Sequence, residues 1–152
     1  MDVERLKLEP RMVIGLHETV PMAALTDFYG RAYEAVGSEL LRLDVASQGP
    51  PMAIYHGTPT DTVDVFAGFP IGEQVEPAAP VSVVTLPGGP AVATIHTGTY
   101  ESMADTYGAL TAWMSEHGLT PGTDMWEEYL VGPDGERDSA AWKTRIVWPL
   151  AA

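Results

Sequence analysis

Apolar residues recur at helical spacing in two stretches and alternate at strand spacing through much of the rest. Leu25, Phe28, Tyr29, Ala32, Val36 and Leu40 form a stripe at intervals of three to four residues, which predicts an amphipathic helix over 21–41. Pro21 suits its first turn, where a missing N–H costs nothing. Met103, Tyr107, Leu110, Met114 and His117 predict a second helix over 101–117, with Gly118 as its stop. Both stripes read as core, because a helix packed on a sheet needs one apolar face. Strand patterns over 3–8 and 12–19 flank Glu9-Pro10, and those over 81–86 and 91–97 flank Pro87-Gly88-Gly89-Pro90. Each of these pairs reads as a hairpin or as strands bent at a proline. Strands over 52–56 and 63–68 are separated by Gly57-Thr58-Pro59-Thr60-Asp61. The last pair, 126–131 and 143–148, is separated by Gly132-Pro133-Asp134-Gly135 and an acidic loop. Residues 72–80, rich in Pro, Ala and Glu, read as a surface linker.

The order strand, helix, strand, strand occurs before that linker and again after it. Leu16-His17 matches Ile95-His96 at an offset of 79 residues, and Asp27-Phe28-Tyr29-Gly30 matches Asp105-Thr106-Tyr107-Gly108 at 78. Two matches at nearly one offset point to an internal duplication. The expectation is an α+β fold in a single domain over 1–152, with pseudo-repeats at about 1–72 and 81–152. Two βαββ units would form one antiparallel sheet, with both helices on one face and a ligand groove on the other.

Composition narrows the functions. The chain has 152 residues, 45% of them hydrophobic and 19% charged, which is enough to bury a core. Its formal net charge of −13 argues against a phosphate-backbone binder and is compatible with cationic ligands. It holds no cysteine, so disulfides, thiol nucleophiles and cysteine-based zinc sites are excluded. The charged start, Met1-Asp2-Val3-Glu4-Arg5-Leu6-Lys7, lacks a signal peptide's apolar stretch, and no run is long enough to span a bilayer. A cytoplasmic protein that contacts neither nucleic acid nor membrane is expected, as a monomer or homodimer.

Catalytic motifs are scarce. No serine sits in a Gly-x-Ser-x-Gly elbow, and Gly88-Gly89 lacks the Lys-Ser/Thr of a phosphate loop. His17, His56, His96 and His117 show no ligand spacing, and no third ligand is evident. His17 and His96 therefore read as a duplicated structural role at a strand end, and neither metal nor cofactor is expected. The informative segment is Met125-Trp126-Glu127-Glu128-Tyr129-Leu130. Strand alternation puts Glu127 and Tyr129 on one face and Trp126, Glu128 and Leu130 on the other. If the Trp126/Leu130 face packs on the helices, Glu128 needs a solvated edge or a partner, and Glu127 with Tyr129 lines the open face. There Glu127 would attract an organic cation or serve as a general base. The alternative is a pair of solvated glutamates in an acidic protein.

Four motifs in order resemble the GyrI-like small-molecule-binding family, also met as the effector-binding domain of multidrug-responsive transcription regulators. They are Asp64-Val65-Phe66-Ala67-Gly68-Phe69-Pro70-Ile71, His96-Thr97-Gly98-Thr99-Tyr100-Glu101, Trp126-Glu127-Glu128-Tyr129-Leu130 with Pro133, and Thr144-Arg145-Ile146-Val147-Trp148-Pro149-Leu150. The resemblance spans essentially the whole chain and implies the duplicated βαββ fold. It implies that Glu127 lies at the bottom of an aromatic cleft facing cationic lipophilic drugs, with Tyr129, Tyr55, Phe69 and Trp148 as wall residues. The family's last strand often reads Thr-Glu-Ile-Tyr, so at Arg145 and Val147 an acid and an aromatic are absent here. The chain looks like a stand-alone member, without the helix-turn-helix of the regulators.

Three functions follow. The first is a module that binds a cationic aromatic compound through Glu127 and stacked rings. The second, implied by the resemblance, is a hydrolase opening the cyclopropane ring of DNA-alkylating natural products, with Glu127 activating water and Tyr129 beside it. The third is a gyrase-inhibitor-like interaction protein, although the 21 acidic residues are spread along the chain and not clustered.

Overall fold

A computed structural model describes residues 2–57, 59–132 and 135–151. Thr58, Pro133 and Asp134, which fall in two of the turns expected from sequence, lie outside the described residues. Eight antiparallel strands and two helices make an α+β fold: β1 (Val3–Leu8), β2 (Arg11–Pro21), α1 (Leu25–Leu43), β3 (Met52–His56), β4 (Thr62–Ile71), β5 (Val81–Leu86), β6 (Gly89–Thr97), α2 (Met103–Glu116), β7 (Asp124–Val131) and β8 (Lys143–Pro149). Each helix is entered through a short 3-10 turn, Met22–Ala24 or Tyr100–Ser102. Pro21, expected in the first turn of α1, instead closes β2, in extended backbone. No described helix is long and apolar enough to cross a membrane.

The chain divides into two compact units, residues 9–88 and residues 1–8 with 89–152. Neither proline-flanked pair forms a hairpin of its own. β1 pairs with β6, from Val3 opposite Thr94 to Leu8 opposite Gly89. β5 pairs with β2, from Arg11 opposite Leu86 to Leu16 opposite Val81. The neighbour order is β5-β2-β4-β3 in one unit and β1-β6-β8-β7 in the other. The two orders correspond strand for strand once β1 and β5 are exchanged.

In the 9–88 unit, Phe28, Ala32, Val36 and Leu40 are the buried stripe of α1. Opposed residues of antiparallel strands share a face. Leu16, Val20, Val63, Val65, Ala67 and Ala53 therefore lie on one face of this unit, together with Glu18 and Phe69. Arg31 of α1 bonds Glu18 at 2.9 Å, and Tyr33 of α1 packs on Phe69, so this is the face that α1 covers. The same helix ends on Asp44, whose left-handed backbone (φ 55) lets Val45 N–H reach the Leu40 carbonyl at 3.0 Å.

Gly15 and Gly68 stand opposite each other in β2 and β4. A Cβ on Gly68 would sit 1.9 Å from the Ile14 carbonyl oxygen, and one on Gly15 would strike the Phe66 ring at 2.4 Å. Glycine is required here for close approach of the two backbones. Near the C-terminal end of α1, Glu39 accepts from Arg42 at 2.6 and 2.7 Å and from the Ala78 amide at 2.8 Å. The Arg42 guanidinium, and then that amide, hold the Glu39 carboxyl down to about 2 from the usual 4.5.

Gly68→Ala is expected to destabilise the fold by about 3 kcal/mol or more, since backbone must move. Gly30→Ala, on the exposed side of α1 with open space around it, should stabilise by about 0.5–1 kcal/mol in urea unfolding. For Glu39, the folded carboxyl is the stronger acid. Its contribution is therefore complete above about pH 4.5 and is lost as pH falls toward 2. A carbon-detected titration should place its midpoint near 2. Glu39→Gln should flatten the fall in stability across that window.

Candidate functional site

In the unit of residues 1–8 and 89–152, register again assigns the faces. Val92, Thr94 and His96 stand opposite Trp148, Ile146 and Thr144, and Glu127 and Tyr129 stand opposite Ile146 and Thr144. All of them share one face. Thr106 of α2 bonds His96, and Tyr107 of α2 bonds Glu127, so α2 lies over this face. The sequence expectation is therefore reversed at this strand. Glu127 and Tyr129 project toward the helix, and Trp126 and Glu128 project away from it. Parity alone fixes which side chains travel together, and the helix chose the other set.

Glu127 is only 9% exposed. The Tyr129 hydroxyl donates to its Oε1 at 2.7 Å, and the Tyr107 hydroxyl donates to its Oε2. Tyr129 reaches back two residues along its own strand, while Tyr107 descends from α2, where Met103, Leu110 and Met114 anchor the helix. A carboxylate withdrawn from water needs such donors, because charge-assisted hydrogen bonds replace its hydration. Further rings pack on these two tyrosines. Trp148 meets Tyr107 edge-on at 6.2 Å and donates its Nε1–H to the Gly122 carbonyl at 2.9 Å. Tyr100 meets Tyr129 at 6.0 Å and Trp142 at 5.2 Å. On the same face the Thr144 hydroxyl is fully buried and has no hydrogen-bond partner among the described residues.

Glu128 is buried as well, and its partners are of a different kind. Trp126 donates its Nε1–H to Oε2 at 3.1 Å, and Arg145 approaches the same oxygen at 3.4 Å. Arg145 stands directly opposite Glu128 in register and also reaches Glu4 at 3.7 Å. The arginine that replaces the family's common acid thus answers the second carboxylate with charge.

Tyr55 and Phe69, the other two residues expected in the site, belong to the 9–88 unit. There the Tyr55 hydroxyl bonds that of Tyr29, and Phe69 meets Tyr33 at 5.7 Å. Tyr33 stacks on Tyr29 at 6.1 Å and donates to the Met52 carbonyl at 3.0 Å. Tyr29 and Tyr107 are the tyrosines of the matched repeat segments, and each reaches the strand after its helix. One meets a tyrosine there and the other a glutamate. Sequence reading placed Tyr107 only in the core stripe. The repeat was the signal that could have promoted it.

His17 and His96, also matched by the repeat, have separate surroundings. His96 is 5% exposed. Its Nε2 lies 2.8 Å from the Thr99 carbonyl, an acceptor only, so Nε2 carries the proton and Nδ1 accepts from Thr106 at 2.6 Å. That tautomer leaves Nε2 unable to take a proton from Ser102, whose Oγ lies 3.0 Å away and donates to the same carbonyl at 2.8 Å. His96 ties β6 to the entry of α2. His17 is exposed and pairs with Asp64.

Similar folds occur among solved structures. The EcmrR C-terminal domain superposes with a TM-score of 0.86 at 20% identity, covering 99% of this chain and 97% of that one. SAV2435 bound to tetraphenylphosphonium gives 0.72 at 14% identity, covering 100% and 95%. A hydrolase encoded by lin2189 from Listeria innocua gives 0.69 at 14% identity, covering 99% and 92%. At these identities the likeness shows the fold. No curated protein matches the chain in sequence. The sequence profile of the GyrI-like small molecule binding domain matches residues 1–151. Taken with the duplicated strand order, that match shows that the chain belongs to the GyrI-like small-molecule-binding domain family.

Proposed function

We propose that this domain binds a cationic aromatic compound, with Glu127 supplying the countercharge and Tyr107, Tyr129 and Trp148 the ring contacts. The observation that carries this reading is a carboxylate 9% exposed, hydrogen-bonded by tyrosine hydroxyls on both oxygens and set among aromatic rings. Hydroxyl donors on both oxygens hold the group in place. An incoming organic cation then gains both Coulombic attraction, enlarged by the low local dielectric, and contact with ring faces. Glu128, with a guanidinium against it, is less suited to this role. The net charge of −13 favours approach of a cation over that of an anion. That SAV2435, which shares the fold, was solved with tetraphenylphosphonium supports the ligand class. Tyr55 and Phe69 are proposed as contacts of the same ligand class on the strength of the family resemblance.

A second reading uses the same residue. Glu127 would take a proton from water as the water attacks a cyclopropane carbon, the strained carbon–carbon bond breaks, and the released electron pair is protonated. The hydrolase from Listeria innocua with this fold supports it.

Titration with tetraphenylphosphonium, followed by tryptophan fluorescence and calorimetry, tests the binding reading. Glu127→Gln is expected to weaken the cation by about tenfold to a hundredfold, or roughly 1–3 kcal/mol. Triphenylphosphine oxide, a neutral relative, should bind both forms alike. Tyr129→Phe should cost less, because the ring remains. Equal affinity of the cation for wild type and Glu127→Gln would remove Glu127 from the site. For the second reading, mass spectrometry should find a cyclopropane-bearing alkylator heavier by one water. Glu127→Gln should then slow the reaction about a hundredfold to ten-thousandfold. Absence of that product leaves binding alone.

A further inference from the structure

We propose that His17, His56 and Asp64 bind a divalent transition-metal ion on the face of the 9–88 unit turned away from α1. The three residues are far apart in sequence, and the strand pairing brings them together. β2 and β3 flank β4 on either side. His17 stands opposite Phe66, and Asp64, two residues before Phe66, shares its face. Tyr55 stands opposite Val65, so His56, the next residue of β3, extends the register to Asp64. Tyr55, Glu18 and Phe69 alternate onto the side of α1, which leaves His17, His56 and Asp64 on the opposite side.

The nitrogen and oxygen donors of the three all lie within 4.8 Å of one another. Two donors of one tetrahedral ion, at metal–nitrogen distances of about 2.0–2.1 Å, stand about 3.3–3.5 Å apart. The set therefore closes on an ion with about an ångström of side-chain adjustment. The two imidazoles lie 5.9 Å apart at an interplanar angle of 80°, edge to face, so they do not stack against each other. His17 Nε2 already touches Asp64 Oδ1, which brings one nitrogen and one oxygen donor together. The His17 and Asp64 side chains are 51% and 41% exposed, so an ion has a path in and the side chains have freedom to adjust.

Donor chemistry selects the ion. Two imidazoles and one carboxylate suit zinc, cobalt, nickel or copper, whereas magnesium and calcium favour all-oxygen shells. Three protein ligands leave at least one position for water or another small ligand. The alternative use of these groups is a surface ion pair between His17 and Asp64, with His56 beside it.

Cobalt(II) added to untagged protein is the probe, with zinc as competitor. One cobalt per chain is expected, with a visible ligand-field band that zinc abolishes. Loss of even an outer partner of a metal ligand typically costs about 10–100-fold in affinity. His56→Gln and Asp64→Asn should each cost at least that, while His117→Gln, at the far end of α2, should change nothing. In the wild type, cobalt should broaden the imidazole signals of His17 and His56 and spare those of His96. The latter measurement decides the question even where a variant fails to fold. The absence of saturable uptake, affinity unchanged in both variants, or broadening confined to other histidines would each reduce the cluster to an ion pair.

Discussion

Two consecutive carboxylates on one strand must point to opposite faces, and here both are buried. That constraint organises the unit built on β6, β8 and β7. Each face needs its own means of replacing the water that a carboxylate loses. On one face the hydroxyls of Tyr107 and Tyr129 contribute. On the other the means is cationic: Arg145, with an indole N–H from Trp126. The position of α2 follows from the first, because Tyr107 can reach Glu127 only if the helix lies over that face. The place of Arg145 in β8 follows from the second, because only the residue directly opposite Glu128 meets it squarely.

The duplicated scaffold puts the same device to two uses. In each unit a tyrosine from the helix drops onto the strand that follows. Against Tyr55 it makes a neutral hydroxyl pair within a cluster of rings. Against Glu127 it steadies a negative charge. The partner differs between the units, a hydroxyl on Tyr55 in one and a carboxylate on Glu127 in the other. His17 and His96 differ in the face they take: His96 lies under α2, bonded to Thr106, whereas His17 lies on the face turned away from α1, beside Asp64.

Elements were legible from sequence wherever local pattern decides them. Both helices and all eight strands fall close to their expected spans, because the apolar spacing of 3.6 or 2 is a property of contiguous residues. Partnership was not legible. Glu9-Pro10 and Pro87-Gly88-Gly89-Pro90 look like hairpin turns, yet the strands on either side of each take partners from far along the chain. Nothing local distinguishes a hairpin from an exchange. The same limit applies to the site. Glu127 and Tyr129 stood out because alternation places them together, but which face the helix would cover depends on tertiary packing. The company of Glu127 was partly readable, since Tyr107 sits in the repeat. The grouping of His17, His56 and Asp64 was not, since it exists only once three strands lie side by side.

The exchange of β1 and β5 bears on how the molecule comes into being. Residues 9–88 form a unit from an unbroken stretch of chain, whereas the other unit is closed by β1, which is synthesised before the whole of the 9–88 unit. During synthesis β1 is made long before its partner β6 exists. Its make-up suits the wait. Glu4, Arg5 and Lys7 break its apolar positions with charge of both signs, a pattern that discourages edge-to-edge association. Translation order therefore separates β1 from its partner by the synthesis of a whole unit, and the charges along β1 suit that interval.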